Sequence, residues 1–275
     1  MILRESCLSP GWYPRDKEKI KDFLLPFSMS ASPSANAVVA PHAGWYYSGT
    51  VAAKAVSSLA READTVVVIG GHLPRGIPVL SAGEDGVKTP FGTMKIDEKL
   101  RFEFNKQIEC APDRYEDNTV EILLPMVHYF YPEAELLWLR FPSELSSFKA
   151  GEILNKTAIN TGRRILVISS TDLTHYGRNY GFSPKGYGRE ALDWVEKTND
   201  AAFINAVLEK KAELVLEKAE KDHSACSAGA VLGGLGFTGL SEQSPKLLEY
   251  RTSAGAESGS EIPDSFVGYA AIFLG

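Results

Sequence analysis

Cysteine is scarce in this chain, with three residues, Cys7, Cys110 and Cys226, among 275. An odd number without CxxC spacing supports neither a disulfide framework nor a zinc ribbon. Clustered positive charge is missing as well. Lysine and arginine run together only in pairs such as Arg163-Arg164 and Lys210-Lys211, and 35 acidic residues outnumber 29 basic ones for a formal net charge of -6. A protein that tracks a phosphate backbone carries a basic stripe, so no nucleic-acid partner is expected. Long apolar runs are also lacking: nothing approaches the roughly 20 residues of a membrane-spanning helix. The first residues, Met1 to Ser6, lack the basic and apolar regions of a signal peptide. The expected location is therefore cytoplasmic, with no membrane partner.

What is present is the composition of a globular protein, 44% hydrophobic and 23% charged. An α/β fold can fill this length around one core, so residues 1–275 are read as a single domain. Apolar runs of strand length alternate with helical periodicity, as in a sheet wrapped by crossover helices. Ala37 to Pro41, Thr65 to Gly70, Leu136 to Arg140 and Arg164 to Ser169 are the predicted core strands. Continuous β-branched residues in the second of them imply burial on both faces. Helices are expected over Thr50 to Arg61, Ser146 to Asn160 and most of Glu190 to Glu220. Glycine and proline break Val79 to Ile96 into hairpin-sized pieces. Lys246 to Thr252 and Phe266 to Leu274 read as strands on either side of a small-residue loop, Ala254 to Pro263. The expected class is α/β, with a mixed, largely parallel central sheet flanked by helices.

Three core strands run into polar loops that carry titratable groups, at His42, at His72 and at Asp172 with His175. Parallel strands bring such loops to one sheet edge, where ligands of open α/β folds bind. A histidine in a loop is commonly structural, but three of the five in the chain lie at strand ends. Asp172 and His175 are three apart and would share a face on a helical turn, as a carboxylate-imidazole pair for proton transfer. Otherwise Asp172 simply caps the turn. Cys226 precedes the apolar run Val231 to Leu235, near a helix N-terminus that favours its thiolate. The alternative is a small buried hydrophobe, the role expected for Cys7 and Cys110. His128 is expected to be structural, and His223 a solvated loop residue.

At these residues the sequence resembles the Memo family, whose bacterial and archaeal members are also called AmmeMemoRadiSam system protein B. The resemblance runs through Arg4, Gly11 to Pro14, Pro41 to Gly49, Gly71-His72, Ser170 to Gly177, the Cys226 segment and Val267 to Ala270. Each motif is weak alone, and their order and spacing are specific. The resemblance implies a fold like that of the class III extradiol dioxygenases, in which two histidines and a carboxylate hold non-haem iron. By motif, His42 and His72 take the positions of the histidine ligands, and Cys226 stands where the dioxygenases use a carboxylate. Asp172 and His175 match the family's nearby acid and histidine. One departure is Asp117 to Glu121, where the family reads Glu-His-Ser-x-Glu. Asn118 hydrogen-bonds but cannot shuttle a proton as histidine does, and Glu121 is expected to line the pocket.

Two imidazoles and a thiolate suit iron, copper or zinc, with iron placed first. The leading expectation is a metal-dependent oxidoreductase of undefined substrate, with a small molecule or peptide as ligand. A second is a non-catalytic peptide- or protein-binding module, in which Trp45, Tyr46, Tyr47 and Arg75 form an aromatic and cationic wall. A third is a zinc-dependent hydrolase. Family association also implies radical-SAM and AMMECR-type partner proteins.

Overall fold

The computed structural model describes residues 1–28, 34–239, 241–256 and 261–275. Its strands are β1 (Leu3–Arg4), β2 (Ala37–Ala40), β3 (Thr65–Leu73), β4 (Val79–Ser81), β5 (Gly86–Thr89), β6 (Gly92–Lys95), β7 (Cys110–Pro112), β8 (Glu135–Pro142), β9 (Ile165–Ser170), β10 (His175–Gly177), β11 (Lys246–Thr252) and β12 (Ser265–Phe273). The helices are α1 (Lys17–Ser28), α2 (Trp45–Val56), α3 (Glu98–Asn105), α4 (Asn118–Glu121), α5 (Leu124–Phe130), α6 (Ser146–Thr161), α7 (Arg189–Trp194), α8 (Asp200–Leu208), α9 (Ala212–Asp222) and α10 (Ala228–Phe237).

The architecture is mixed α/β. The large sheet runs β10-β12-β2-β9-β3-β8-β4-β7, with β11 also paired to β12. Its centre, β2-β9-β3-β8, is parallel, and β12, β10, β11 and β4 add antiparallel pairs around it. The Val66 to Ile69 run is fully buried, as a strand covered on both faces must be. Helix α10 is buried along its whole length and packs with α6 against β3, β8 and β9, while α2 lies on β2 and β12. A small second sheet joins β1, β5 and β6, the last two as the predicted hairpin.

The first crossover helix begins five residues before its expected start. Trp45 to Tyr47 belong to α2, because the backbone turns at Gly44 and the Ser48 hydroxyl donates back to the Ala43 carbonyl at 2.9 Å. The helix closes at Val56, since Leu59 bridges to Ala35 and the Ala60 amide donates to the Ala35 carbonyl at 2.8 Å. The predicted Glu190 to Glu220 helical region is divided into α7, a π-helical segment at Val195–Asn199, α8 and α9. Of the expected loop from Ala254 to Pro263, positions 257–260 lie outside the described residues.

The strand order decides where the chemistry collects. β9 lies between β2 and β3, all three parallel. Their C-terminal ends therefore bring the His42 and Asp172 loops beside His72, which lies on the last part of β3 itself rather than in the expected loop, at the carboxyl edge of an open sheet.

Candidate metal centre

His42 follows β2 and is almost completely enclosed, at 1% exposure. Its main-chain amide donates to Asp172 Oδ1 at 2.7 Å, and its Nδ1 meets Ser170 Oγ at 2.9 Å. With Nδ1 so engaged, Nε2 is the free ring nitrogen, and it lies 3.2 Å from Cys226 Sγ and 3.8 Å from Asp172 Oδ2. A hydrogen bond at one imidazole nitrogen that orients the other is how proteins fix a histidine ligand.

His72 stands on the last part of β3, where the pairing with β8 skips between Gly70 and Leu73. Its φ is +59°, one of three positive values at non-glycine positions among the described residues. A β-carbon is disfavoured there, so this candidate ligand is held at the cost of backbone strain. The irregularity turns the imidazole towards His42, with ring centroids 5.0 Å apart and planes at 85°. Gly71 completes the approach. A Cβ on Gly71 would lie 2.1 Å from Ser227 Oγ and 3.0 Å from Ser227 Cα, so only glycine admits the turn that carries Cys226.

Cys226 precedes the N-terminus of α10, as expected. Its amide donates to the Asp172 carbonyl at 3.2 Å, and the next amide, Ser227, donates to Thr171 Oγ1 at 3.1 Å. The β9 loop therefore positions the thiol. His42, His72 and Cys226 each offer a ligand atom, and these atoms lie within 4.8 Å of one another.

The charged forms of the thiol and the two imidazoles support one another. Burial alone pushes the Cys226 thiol up, but His42 and His72 outweigh it and pull the thiol well below its usual range. Burial also opposes charge on His72, yet hydrogen bonds to Asp117 and Cys226 push its pKa up to about 10. His42 is likewise raised against burial by Asp172 and Cys226. Burial raises Asp172, with His42 acting in the other direction. A thiolate beside two imidazoles is a borderline donor set that fits iron, copper or zinc.

Asp117 and Arg140 escaped the sequence reading. Asp117 Oδ2 lies 3.3 Å from His72 Nδ1, leaving the His72 Nε2 as the free donor. Its Oδ1 takes the Arg140 Nη1 at 2.7 Å, and Arg140 Nε reaches Asp113 Oδ2 at 2.9 Å. Arg140 is 1% exposed in the centre of β8. Burial opposes ionisation of Asp117, but His72 and Arg140 hold its carboxyl well below the usual range. The local signal was the acid that opens the departed Asp117 to Glu121 motif. Its arginine partner is distant in sequence.

Asp172 and His175 do not share a helical turn. The segment between β9 and β10 is held open by Thr171 N to the Ala40 carbonyl at 3.0 Å and Leu173 N to the Gly268 carbonyl at 2.8 Å. Asp172 therefore pairs with His42. His175 Nδ1 instead lies 3.1 Å from the Leu173 carbonyl, and its ring meets Tyr180 edge-on at 4.9 Å.

Beside the centre opens a cleft of about 580 Å³, lined by Asp172 and His175 and walled by Trp12, Tyr47, Tyr180 and Tyr269. Asn118 also lines it and donates its Nδ2 to the His42 carbonyl at 2.8 Å. The other expected pocket residues lie elsewhere. Trp45 is buried against Phe23, at 5.0 Å between centroids, with Nε1 donating to the Ile122 carbonyl at 3.0 Å. Tyr46 is exposed and donates to the Ala256 carbonyl at 3.1 Å. Arg75 is on the surface with Glu220 at 3.0 Å. Glu121 faces the N-terminal segment, where Cys7 N donates at 2.7 Å and Tyr13 Oη at 2.8 Å. Cys7 is thus exposed rather than buried, with its thiol 3.0 Å from Glu121. His128 is buried and meets Thr89 at 2.6 Å, and His223 packs on Phe182 at 4.9 Å.

Residues 4–273 match the family model for Memo-like proteins. The chain belongs to the Memo family. A MEMO1 family protein of Methanosarcina mazei is 30% identical over 285 aligned positions, covering all of both chains. One from Pyrococcus furiosus is 29% identical over 297 positions, covering 99% of each. Among solved structures, an uncharacterized protein from Escherichia coli K12 matches with a TM-score of 0.49 at 13% identity, over 87% of this chain and 99% of that one. Among the described residues of this Memo-family chain, no helix is long and apolar enough to cross a membrane.

Proposed function

We propose that this Memo-family protein is a metal-dependent oxidoreductase in which His42, His72 and Cys226 hold a redox-active metal, iron ahead of copper. The observation that carries this reading is the convergence of two imidazoles and a lowered thiol within 4.8 Å. Three protein donors leave coordination free for a further ligand, and a lined cleft lies next to them. When bound, the metal supplies electron exchange with substrate or oxygen.

The remaining residues supply the groundwork. Ser170 and Asp117 fix the two imidazoles, and Asp172 fixes the backbone of His42. A carbonyl only accepts, so His175 Nδ1 carries a proton donated to Leu173. Its Nε2 is then the lone pair able to take a proton from a bound molecule. Asn118 cannot perform that step and instead secures the His42 carbonyl. The three free cysteines suit a reducing, cytoplasmic setting. Ring cleavage is not inherited from a dioxygenase-like fold, because function resides in the site.

The test is elemental analysis of protein purified without added metal, repeated with Cys226→Ala and His72→Ala. Near-stoichiometric iron or copper that is lost in both variants supports the reading. Zinc would favour a hydrolase, and no metal after anaerobic purification would sink both. The aromatic walls of the cleft favour a second reading, a binding module without turnover. It expects peptide capture that survives both substitutions.

A further inference from the structure

Behind His175 the hydrogen bonds continue into the core. Its Nδ1 donates to the Leu173 carbonyl at 3.1 Å. That carbonyl belongs to the same planar peptide unit as the Thr174 amide. The Thr174 N–H in turn donates at 3.1 Å to Oδ1 of Asp200, a fully buried residue that opens α8. One peptide group thus stands between a carboxylate and the imidazole.

The neighbouring contacts fix the state of that carboxylate. Asn199, the last residue of the π-helical segment, donates its Nδ2 to Thr174 Oγ1 at 2.9 Å. An amide nitrogen does not accept, so the Thr174 hydroxyl has its own hydrogen left for Asp200 Oδ1. Tyr250 Oη donates to Oδ2 at 2.7 Å. Both oxygens accept, as those of an ionised carboxyl do. Burial raises Asp200 to about 6, against the donors at Thr174 and Tyr250 and the charge of His175, so it is ionised at neutral pH. Gly268 makes room for it, since a Cβ there would collide with Asp200 Oδ2. The Gly268 amide also donates to the Thr174 carbonyl at 3.0 Å, and its carbonyl accepts from Leu173 N at 2.8 Å. A carboxylate taken out of water costs stability, and here its donors converge on the segment that carries His175.

We propose that Asp200 is a positioning residue for His175 and acts through the Leu173–Thr174 peptide. The carboxylate polarises that peptide and strengthens its carbonyl as an acceptor, which holds the imidazole hydrogen on Nδ1 and leaves the lone pair on Nε2. This deepens the function proposed above and rests on it only for the use to which Nε2 is put.

The test is nitrogen NMR of the isotope-labelled full chain, as purified and after treatment with a chelator, with metal content measured on the same samples. His175→Gln assigns the His175 signals. The neutral ring should carry its hydrogen on Nδ1. Asp200→Asn keeps an acceptor for the Thr174 N–H but removes the charge, and should lower the ratio of the Nδ1–H to the Nε2–H form by roughly 3- to 10-fold, the gain from a charge-assisted bond. Thr174→Val deletes the hydroxyl and spares the peptide, so it should lower Tm and leave the ratio unchanged. In the wild type the Thr174 amide proton should shift as Asp200 titrates near pH 6, a readout that needs no variant to fold. An Nε2–H ring in the wild type, a Thr174 amide that ignores pH, or an unchanged ratio in folded Asp200→Asn overturns the proposal. So does an equal fall in Thr174→Val, which would make the role merely structural. A chain that holds no metal yet shows the Nδ1–H ring and its response sinks the oxidoreductase reading alone. A chain that holds metal around an Nε2–H ring sinks only this one.

Discussion

Replacing Arg140 with methionine tests whether the buried ion network behind His72 organises the centre. Arg140 is 1% exposed and bonds Asp113 at 2.9 Å, Asp117 at 2.7 Å and the Thr119 hydroxyl. At an effective dielectric of 20, each close pair is worth about 4 kcal/mol before desolvation, and removing one partner of a buried pair typically costs about 3–5 kcal/mol. The damage is softened at one end, because Arg4 Nη1 still reaches Asp113 at 3.1 Å. At the other end Asp117 keeps Thr119 N at 3.0 Å and His72 at 3.3 Å. The expected loss is therefore at the lower end, about 3 kcal/mol, or roughly 6–10 °C in Tm for a chain of this size. A second readout separates stability from site organisation. With Asp117 no longer clamped, His72 loses its fixed orientation, and metal affinity in chelator competition should fall ~10- to 100-fold. Arg140→Lys, which keeps the charge but not the fork, should fall between. If Arg140→Met unfolds within about 1 kcal/mol of the wild type and holds metal equally well, the network has no such role.

Gly71→Ala should push the Cys226 turn away from His72, since the added methyl meets Ser227 at 2.1 Å. Metal stoichiometry should fall sharply, with about 1–3 kcal/mol lost in urea unfolding from overpacking; retained stoichiometry would contradict the geometry. Iodoacetamide at pH 7 should label Cys226 well ahead of Cys7 and Cys110, whose thiols are pushed up to about 12, Cys7 by the partial burial of its sulfur and by Glu121, Cys110 by burial, as peptide mass spectrometry would show. Thiolate is the reacting form, so added metal should protect Cys226. Asp200 gives a pH signature. Burial outweighs the donors at Thr174 and Tyr250 and raises its pKa from 3.8 to about 6. A folded value above the unfolded one means that the contribution is most favourable below about pH 4 and declines as pH rises to about 6. Denaturant melts of wild type and Asp200→Asn should diverge across that window by about 2–3 kcal/mol, and parallel profiles would count against it.

Much of the sheet was legible because burial on both faces demands uninterrupted apolar strands, and Thr65 to Gly70 states that demand locally. The meeting of the three strand ends was legible for the same reason, since parallel neighbours end at one edge, although His72 lies in the strand and not in the loop after it. What stayed hidden is long-range. Nothing near Asp117 announces Arg140, which arrives from the centre of β8. The three-residue spacing of Asp172 and His175 suggested a shared helical face. Hydrogen bonds donated to the Ala40 and Gly268 carbonyls, distant in the chain, extend that segment instead. Trp45 and Tyr46 read as a binding wall because aromatic residues in a polar loop invite that reading. The loop proved to be the first turn of a helix, with the indole turned into the core.

The left-handed backbone at His72 makes that position a reporter of the centre's use. Backbone geometry there favours glycine or asparagine, and a metal-binding role for the imidazole would oppose them. In a lineage that ceased to use the metal, relaxed selection would let residue 72 drift towards those residues early, while the core strands, constrained by packing, stayed as they are. A histidine kept at this place across lineages is what continued use of the site predicts.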